Sequence, residues 1–190
     1  MALAIPPKNR EEDYGVFPCW ELSDTECRDL IELHSDDKNP MLRGRVQRDG
    51  SNVTDMVRQT DVYVVHEDNQ WVDELVIAAA LAANDLFKFQ ISGLIERPQL
   101  LRYTAPNGGY DWHLDIGNGD HSTRKISLSF LLNDNYEGGE LCFFTSGEMC
   151  ARADKGVCLA FPSFLPHKVN PVTKGERWAL VAWITGEPYR

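Results

Sequence analysis

The stretch QLLRYTAPNGGYDWHLD, Gln99–Asp115, decides how the rest of the chain is read. Gln99–Thr104 and Tyr110–Asp115 are short runs of aliphatic, aromatic and β-branched residues, and Asn107-Gly108-Gly109 between them is turn chemistry. Two short strands around a turn are predicted. The same pattern continues downstream. Lys125–Leu132, Glu140–Phe144, Val157–Phe161, Pro166–Asn170 and Arg177–Ile184 read as strands. They are separated by Gly117-Asn118-Gly119-Asp120, Asn133-Asp134-Asn135, Gly138-Gly139, Asp154-Lys155-Gly156 and Lys174-Gly175. Short strands at this spacing predict an all-β sandwich or jelly roll, with helices packed outside one sheet.

Upstream the period changes. Asn69–Phe89 carries Val72, Leu75, Val76, Ala79, Ala83 and Leu86 as one apolar stripe, which predicts a helix. Ser23 followed by Glu26 is a capping box, so a second helix is predicted over about Asp24–His34. Asp61–His66 (DVYVVH) reads as a strand. Asp36–Thr60 is polar and broken by Asn39-Pro40, Gly44 and Asp49-Gly50-Ser51; it reads as a long loop with a short strand near Leu42–Gln47. The expected organisation is an N-terminal extension over 1–20, a helical support region with the loop over 21–95, and a β core over 96–186, all in one compact domain.

The chain of 190 residues has 19 Lys+Arg against 29 Asp+Glu, a formal net charge of −10. A chain this acidic is a poor nonspecific binder of nucleic acid or anionic membranes. No apolar segment is long enough for a signal peptide or a membrane span, and the expected compartment is the cytoplasm. Five cysteines with no C-x-x-C pair read as reduced thiols, mostly core filler.

The chemistry centres on His113-Leu114-Asp115. Residues i and i+2 of a strand share a face, so an imidazole and a carboxylate lie side by side while Leu114 points into the opposite layer. Two histidines and one carboxylate with open positions suit a non-haem Fe(II) centre. His167, opening a strand after Pro162 and Pro166, is the candidate third ligand. His121 sits in a polar turn and His34 near a helix end, and both read as surface residues. An H-x-D pair alone also describes an exposed polar pair. Arg177 opens the apolar strand Arg177–Ile184. A buried guanidinium there needs an anion, and its planar fork suits a carboxylate. Exposure to solvent, or pairing with Glu140 or Glu176, is the alternative.

Taken in order, these residues resemble the Fe(II)- and 2-oxoglutarate-dependent dioxygenases, in particular the prolyl-4-hydroxylase-like branch. The resemblance runs from about Pro98 to Ile184. It comprises Tyr103, Gly109-Tyr110-x-x-His113-x-Asp115, Arg124, Tyr136-x-Gly138-Gly139-Glu140-Leu141, Gly156-x-x-x-x-Phe161-Pro162-Ser163, His167-x-Val169-x-Pro171-Val172-x-x-Gly175-x-Arg177, and Trp183. It implies a double-stranded β-helix core. It assigns His113, Asp115 and His167 to iron, Arg177 to the distal carboxylate of 2-oxoglutarate, Tyr103 to a further hydrogen bond with that cosubstrate, and Trp183 to the cavity wall. Fe(II), 2-oxoglutarate and O₂ are the implied cofactors, with ascorbate as an accessory reductant. Some relatives carry a tyrosine where this chain has Leu131, so one cosubstrate contact is missing here or comes from elsewhere.

The activity implied is oxidative decarboxylation of the oxo acid coupled to substrate hydroxylation, with release of succinate and CO₂. A prolyl residue in a peptide or protein is the first substrate reading. A small molecule or another amino-acid side chain is the second, with Arg45, Arg58, Arg102 and Arg124 as candidates to hold an anionic or carbonyl group. A catalytically silent jelly-roll binding module is the non-enzyme alternative, and a cupin-like site for another divalent metal is a further one. A nucleic-acid dealkylase is disfavoured by the charge and by the lack of a second arginine after Arg177.

Overall fold

The computed structural model describes residues 15–35, 40–43, 47–48, 51–52, 58–151 and 153–188. Arg45 and much of the 36–60 loop lie outside these residues. The first part of the chain carries β1 (Phe17–Glu21), α1 (Asp24–Glu32), β2 (Leu42–Arg43), β3 (Gln47–Arg48), β4 (Ser51–Asn52), β5 (Arg58–Gln59), β6 (Asp61–Val64) and α2 (Gln70–Phe87). The remainder is β7 (Ile91–Leu94), β8 (Gln99–Thr104), β9 (Gly109–His113), β10 (Arg124–Leu131), β11 (Glu137–Gly138), β12 (Leu141–Phe144), β13 (Glu148–Cys150), β14 (Val157–Pro162), β15 (His167–Val169), β16 (Val172–Lys174) and β17 (Glu176–Gly186).

Two antiparallel sheets face each other. The major sheet runs β1-β14-β10-β17-β8-β6-β2, with β7 also on β17; the minor sheet runs β13-β12-β15-β9-β5. The mainly β jelly-roll core and the helices outside one sheet are as the sequence predicts. Phe17–Glu21, assigned to an extension, is instead a strand paired with β14, so the boundary drawn at residue 20 falls inside the major sheet.

The alternation within β10 explains the layering. Ile126, Leu128 and Phe130 bury against α2 residues such as Val72, Val76 and Phe87. The intervening Ser127 and Ser129 face the space between the sheets and line its cavity. Leu86, placed on the helix stripe by periodicity, is 43 % exposed, and Phe87 takes the buried position. At the start of α1, Ser23 and Glu26 form the capping box reciprocally. The core between the sheets is built from Leu101, Tyr103, Phe143, Leu159, Phe161 and Val169.

Cys142 and Cys150 lie opposite each other on β12 and β13 and form a disulfide. The expectation of reduced thiols throughout is corrected at this pair. The cause is hairpin register, which brings together two cysteines eight residues apart. Cys19, Cys27 and Cys158 are free. Among the described residues, no helix is long and apolar enough to cross a membrane.

Candidate active site

The minor sheet brings the two histidines together. β15 pairs with β9 so that His167 stands opposite His113, while Val169 stands opposite Tyr110. Three residues of β15, 167–169, are thus matched by four of β9, 110–113, a bulge. It lets Tyr110 and His113 both face the cavity, their rings stacked at 3.5 Å between centroids. Trp112 turns to the outer face, against Phe144 and Lys168. β9 ends at His113. Beyond it the backbone N–H groups of Asp115 and Ile116 both donate to the Ser163 carbonyl. Leu114 consequently lies at the cavity rim, 49 % exposed, and not in an opposite layer, because the strand has ended.

His113, Asp115 and His167 offer ligand atoms that all lie within 4.8 Å of one another. His113 Nε2 is 3.7 Å from Asp115 Oδ1, and His167 Nε2 is 3.4 Å from Asp115 Oδ2. The hydrogen bonding around this trio supports metal binding. His113 Nδ1 is 2.8 Å from the Asp111 carbonyl, and His167 Nδ1 is 2.9 Å from the Leu165 carbonyl. A carbonyl only accepts, so each Nδ1 carries the proton and each Nε2 presents a lone pair towards Asp115. Burial, followed by the neighbouring His167, lowers the His113 pKa to about 3, which keeps this imidazole neutral as a ligand must be. Burial alone would raise the Asp115 carboxyl. The two histidines and hydrogen bonds from Ser127 and Trp183 outweigh it and hold Asp115 below the usual carboxylate range. The Ser127 hydroxyl donates to Asp115 Oδ2 at 2.6 Å and lies 3.0 Å from the Ser163 hydroxyl. Arg124 donates to the Asp115 carbonyl at 2.9 Å and forks onto both carboxylate oxygens of Glu96. Its guanidinium lies 4.0 Å over the Trp183 ring.

The cavity holding the trio has a volume of about 830 Å³. Arg177, on β17 of the major sheet, lines it as well and is 4 % exposed. Among the described residues its buried Nε has no hydrogen-bond partner, and its guanidinium lies 5.4 Å from the centre of the Tyr103 ring. A buried donor left unsatisfied is costly, and an anion inside the cavity would remove that cost. Neither Glu140 nor Glu176 is needed as its partner: Glu140 accepts from Asn170, and Glu176 lies beside Thr104 and Arg102. Gly139 makes room for this arginine. Its φ is +70°, and a Cβ there would stand 3.0 Å from Arg177 Cδ. Tyr103 is fully enclosed, and burial raises its pKa, so the phenol stays a protonated donor.

All six residues singled out from the sequence, His113, Asp115, His167, Arg177, Tyr103 and Trp183, line this one cavity. Arg124 and Arg58 line it too, whereas Arg102 is engaged with Asp61. Ser127 and Ser163 were not found from the sequence. The signal that could have found Ser127 is the Ser-x-Ser alternation with the apolar Ile126, Leu128 and Phe130 of β10.

Comparison with known proteins gives the same picture. Residues 98–185 match the 2OG-Fe(II) oxygenase superfamily model. A PKHD-type hydroxylase of Thermosynechococcus vestitus is 32 % identical over 157 residues, covering 77 % of this chain and 70 % of that protein. A second PKHD-type hydroxylase, from Synechococcus sp. (strain CC9902), is 38 % identical over 88 residues but is covered over only 40 % of its length. Among solved structures, a Pseudomonas putida prolyl-4-hydroxylase superposes with TM-score 0.67 at 20 % identity, covering 91 % of this chain and 92 % of that one. A Trichoplax adhaerens prolyl hydroxylase, solved with a hypoxia inducible factor peptide fragment, gives TM-score 0.72 at 19 % identity, covering 90 % and 83 %. The solved structures establish the shared jelly roll. Together with the cyanobacterial relative and the matched core, they show that the chain belongs to the 2OG-Fe(II) oxygenase superfamily.

Proposed function

We propose that this chain is an Fe(II)- and 2-oxoglutarate-dependent hydroxylase whose substrate is a prolyl residue in a peptide or protein. The observation that carries the reading is a single cavity with two complementary ends. At one end three ligand atoms converge with their lone pairs free; at the other a buried guanidinium has an unsatisfied Nε. That combination suits a metal beside a keto acid that also bears a distal carboxylate.

In this reading His113, Asp115 and His167 hold the iron, and Arg177 takes the distal carboxylate. Fe(II) bound with 2-oxoglutarate supplies O₂ activation and the oxidative decarboxylation that yields succinate and CO₂. The chain's own part is positioning. The Asp111 and Leu165 carbonyls fix the imidazole tautomers, Ser127 orients Asp115, and the Tyr103 ring packs against the Arg177 guanidinium. Phe161 packs edge-on against His167, and Phe143 lies behind both, which excludes water from that side. The prolyl assignment is drawn from the structural neighbours, which are prolyl hydroxylases.

The test is an anaerobic titration with Fe(II) and then 2-oxoglutarate, watching the visible charge-transfer band. A screen of prolyl peptides for gain of one oxygen by mass spectrometry follows. A band together with an oxygenated prolyl peptide supports the proposal. A band with no prolyl product, but with substrate-stimulated succinate from another amine or amino acid, would leave the oxygenase and remove the prolyl substrate. Absence of the band in folded protein would remove the cofactor assignment as well.

A further inference from the structure

The outer half of the cavity contains a second guanidinium that the metal and cosubstrate assignments leave unused. Arg58 lies on β5, the edge strand of the minor sheet, in register with Tyr110 of β9. Its guanidinium lies 4.9 Å over the Tyr110 ring, and Tyr110 in turn stacks on His113. Arg58 therefore stands one ring's thickness from a metal-ligating position. Among the described residues its buried Nε has no hydrogen-bond partner, and two other arginines, Arg124 and Arg177, line the same cavity.

Charge balance separates the three. Arg124 is neutralised by its fork onto Glu96. On the proposed function, a divalent cation and Arg177 are offset by Asp115 and the two carboxylates of 2-oxoglutarate. The inner half is then neutral, and Arg58 is the remaining positive group facing the space where substrate must lie. A cation in a partly enclosed, low-dielectric cavity favours an anion over a neutral acceptor far more than it would in water. The planar guanidinium lines the cavity and donates in a fork, so the site is matched to a planar acceptor and not merely to diffuse negative potential.

We infer that Arg58 is a specificity-determining residue that binds a carboxylate of the substrate, so that the residue hydroxylated is presented with an acidic group, its own or a neighbour's, within reach of β5. This rests on the proposed function for the position of the metal and cosubstrate. It adds what that reading lacks, the chemical feature by which substrate is chosen.

Small probes separate the two ideas. N-acetylproline and N-acetylprolinamide differ only in the carboxylate, as do N-acetylleucine and its amide. Each is titrated under argon into protein preloaded with Fe(II) and 2-oxoglutarate, following tryptophan fluorescence and calorimetric heat. Wild type is compared with Arg58→Gln and Arg58→Lys. The charge-transfer band reports the inner half independently in each protein.

The expected result is an acid-over-amide preference of at least about 10-fold in wild type, the low end for a charge-assisted hydrogen bond. It should disappear in Arg58→Gln and return in part in Arg58→Lys, with the band forming in all three. Equal binding of acid and amide by wild type would overturn the inference, as would failure of both acids to bind. An acid preference that survives in Arg58→Gln, or an acid that competes with 2-oxoglutarate, would also overturn it. Loss of the band in both variants would assign Arg58 to the metal site and overturn it in another way. The prolyl reading stands or falls separately, on whether the prolyl pair binds better than the leucyl pair at equal charge. Acid preference with no prolyl preference would keep Arg58 and remove proline.

Discussion

The inner and outer halves of the cavity are built by different means. In the inner half each residue of the His-Asp-His trio is held by another part of the fold, and the guanidinium beside it is enclosed. His113 and His167 are tied to backbone carbonyls, Asp115 to Ser127, and Arg177 is enclosed against Tyr103. In the outer half Leu114 is half exposed, Gly117 and Asn118 form an exposed turn, and Arg58 comes from a two-residue strand at a sheet edge. Second partners for each ligand fix a geometry that the chemistry requires. A rim of loops and edge strands can change its contacts without disturbing that geometry. The difference suggests that the inner half sets the reaction and the outer half sets the substrate.

The largest expected effect comes from removing an inner ligand. Asp115→Ala or His167→Ala should abolish the Fe(II)–2-oxoglutarate band and all succinate formation, while leaving a folded protein by circular dichroism. A variant that keeps the band would break the contrast, because the inner half would then tolerate a change that only the outer half should tolerate. Arg177→Gln comes next. It removes one partner of a buried charge pair, so the 2-oxoglutarate concentration needed for half-maximal band intensity should rise on the order of 100-fold. The titration should still reach full intensity at saturation, because the metal ligands are intact.

The same contrast governs how much could be read from the sequence. His113 and Asp115 were legible as an imidazole and a carboxylate two residues apart at the end of a strand, although the bonds to the Ser163 carbonyl, not the strand period, place Asp115, and Arg177 because a guanidinium opening an apolar strand is chemically out of place. Both signals are local. Arg58 was only one of several arginines in a polar stretch, since its place beside Tyr110 depends on pairing between β5 and β9, far apart in sequence. The Cys142–Cys150 bond was misread for a similar reason: it depends on hairpin register, not on motif spacing. Leu114 was misplaced by extending strand alternation past the end of β9. Ser127 was overlooked because a serine in a strand ordinarily marks a solvent-facing position, whereas β10 is covered on both faces. Local chemistry identified the inner half, and tertiary pairing assembled the outer half.

Ser127 allows a finer test of the inner half. Ser127→Ala keeps every ligand but removes the hydroxyl that donates to Asp115 Oδ2. The carboxylate then loses its orientation and one of the bonds that favours its ionised form. Metal affinity should fall by about 10-fold, the lower end for loss of a group that orients a ligand. Competition with a chelator of known affinity measures this. Ser163→Ala, one hydroxyl further from the carboxylate, should have a smaller effect. If Ser127→Ala left the metal affinity unchanged, Asp115 would be oriented by Trp183 and the two histidines alone.

The smallest effect is a pH dependence of the metal-free protein. His113 titrates near 3 in the folded chain, chiefly because burial disfavours its charged form, against an ordinary value of 6.5. Above pH 6.5 the imidazole is neutral in both the folded and the unfolded state and contributes no dependence. As the pH falls from 6.5 towards 3, the unfolded chain takes up a proton that the folded chain refuses, so the unfolded state gains. The melting temperature of metal-free wild type should therefore fall across that window. His113→Asn cannot take up this proton and should show a shallower decline. The informative quantity is the difference between the two curves, in which groups away from the site cancel and Asp115, held down in part by His113, changes in the same direction. Curves that run parallel from pH 6.5 to 3 would mean that His113 is accessible to water in the metal-free state. The inner half would then be rigid only once its ligands are engaged, and the contrast with the outer half would belong to the loaded enzyme alone.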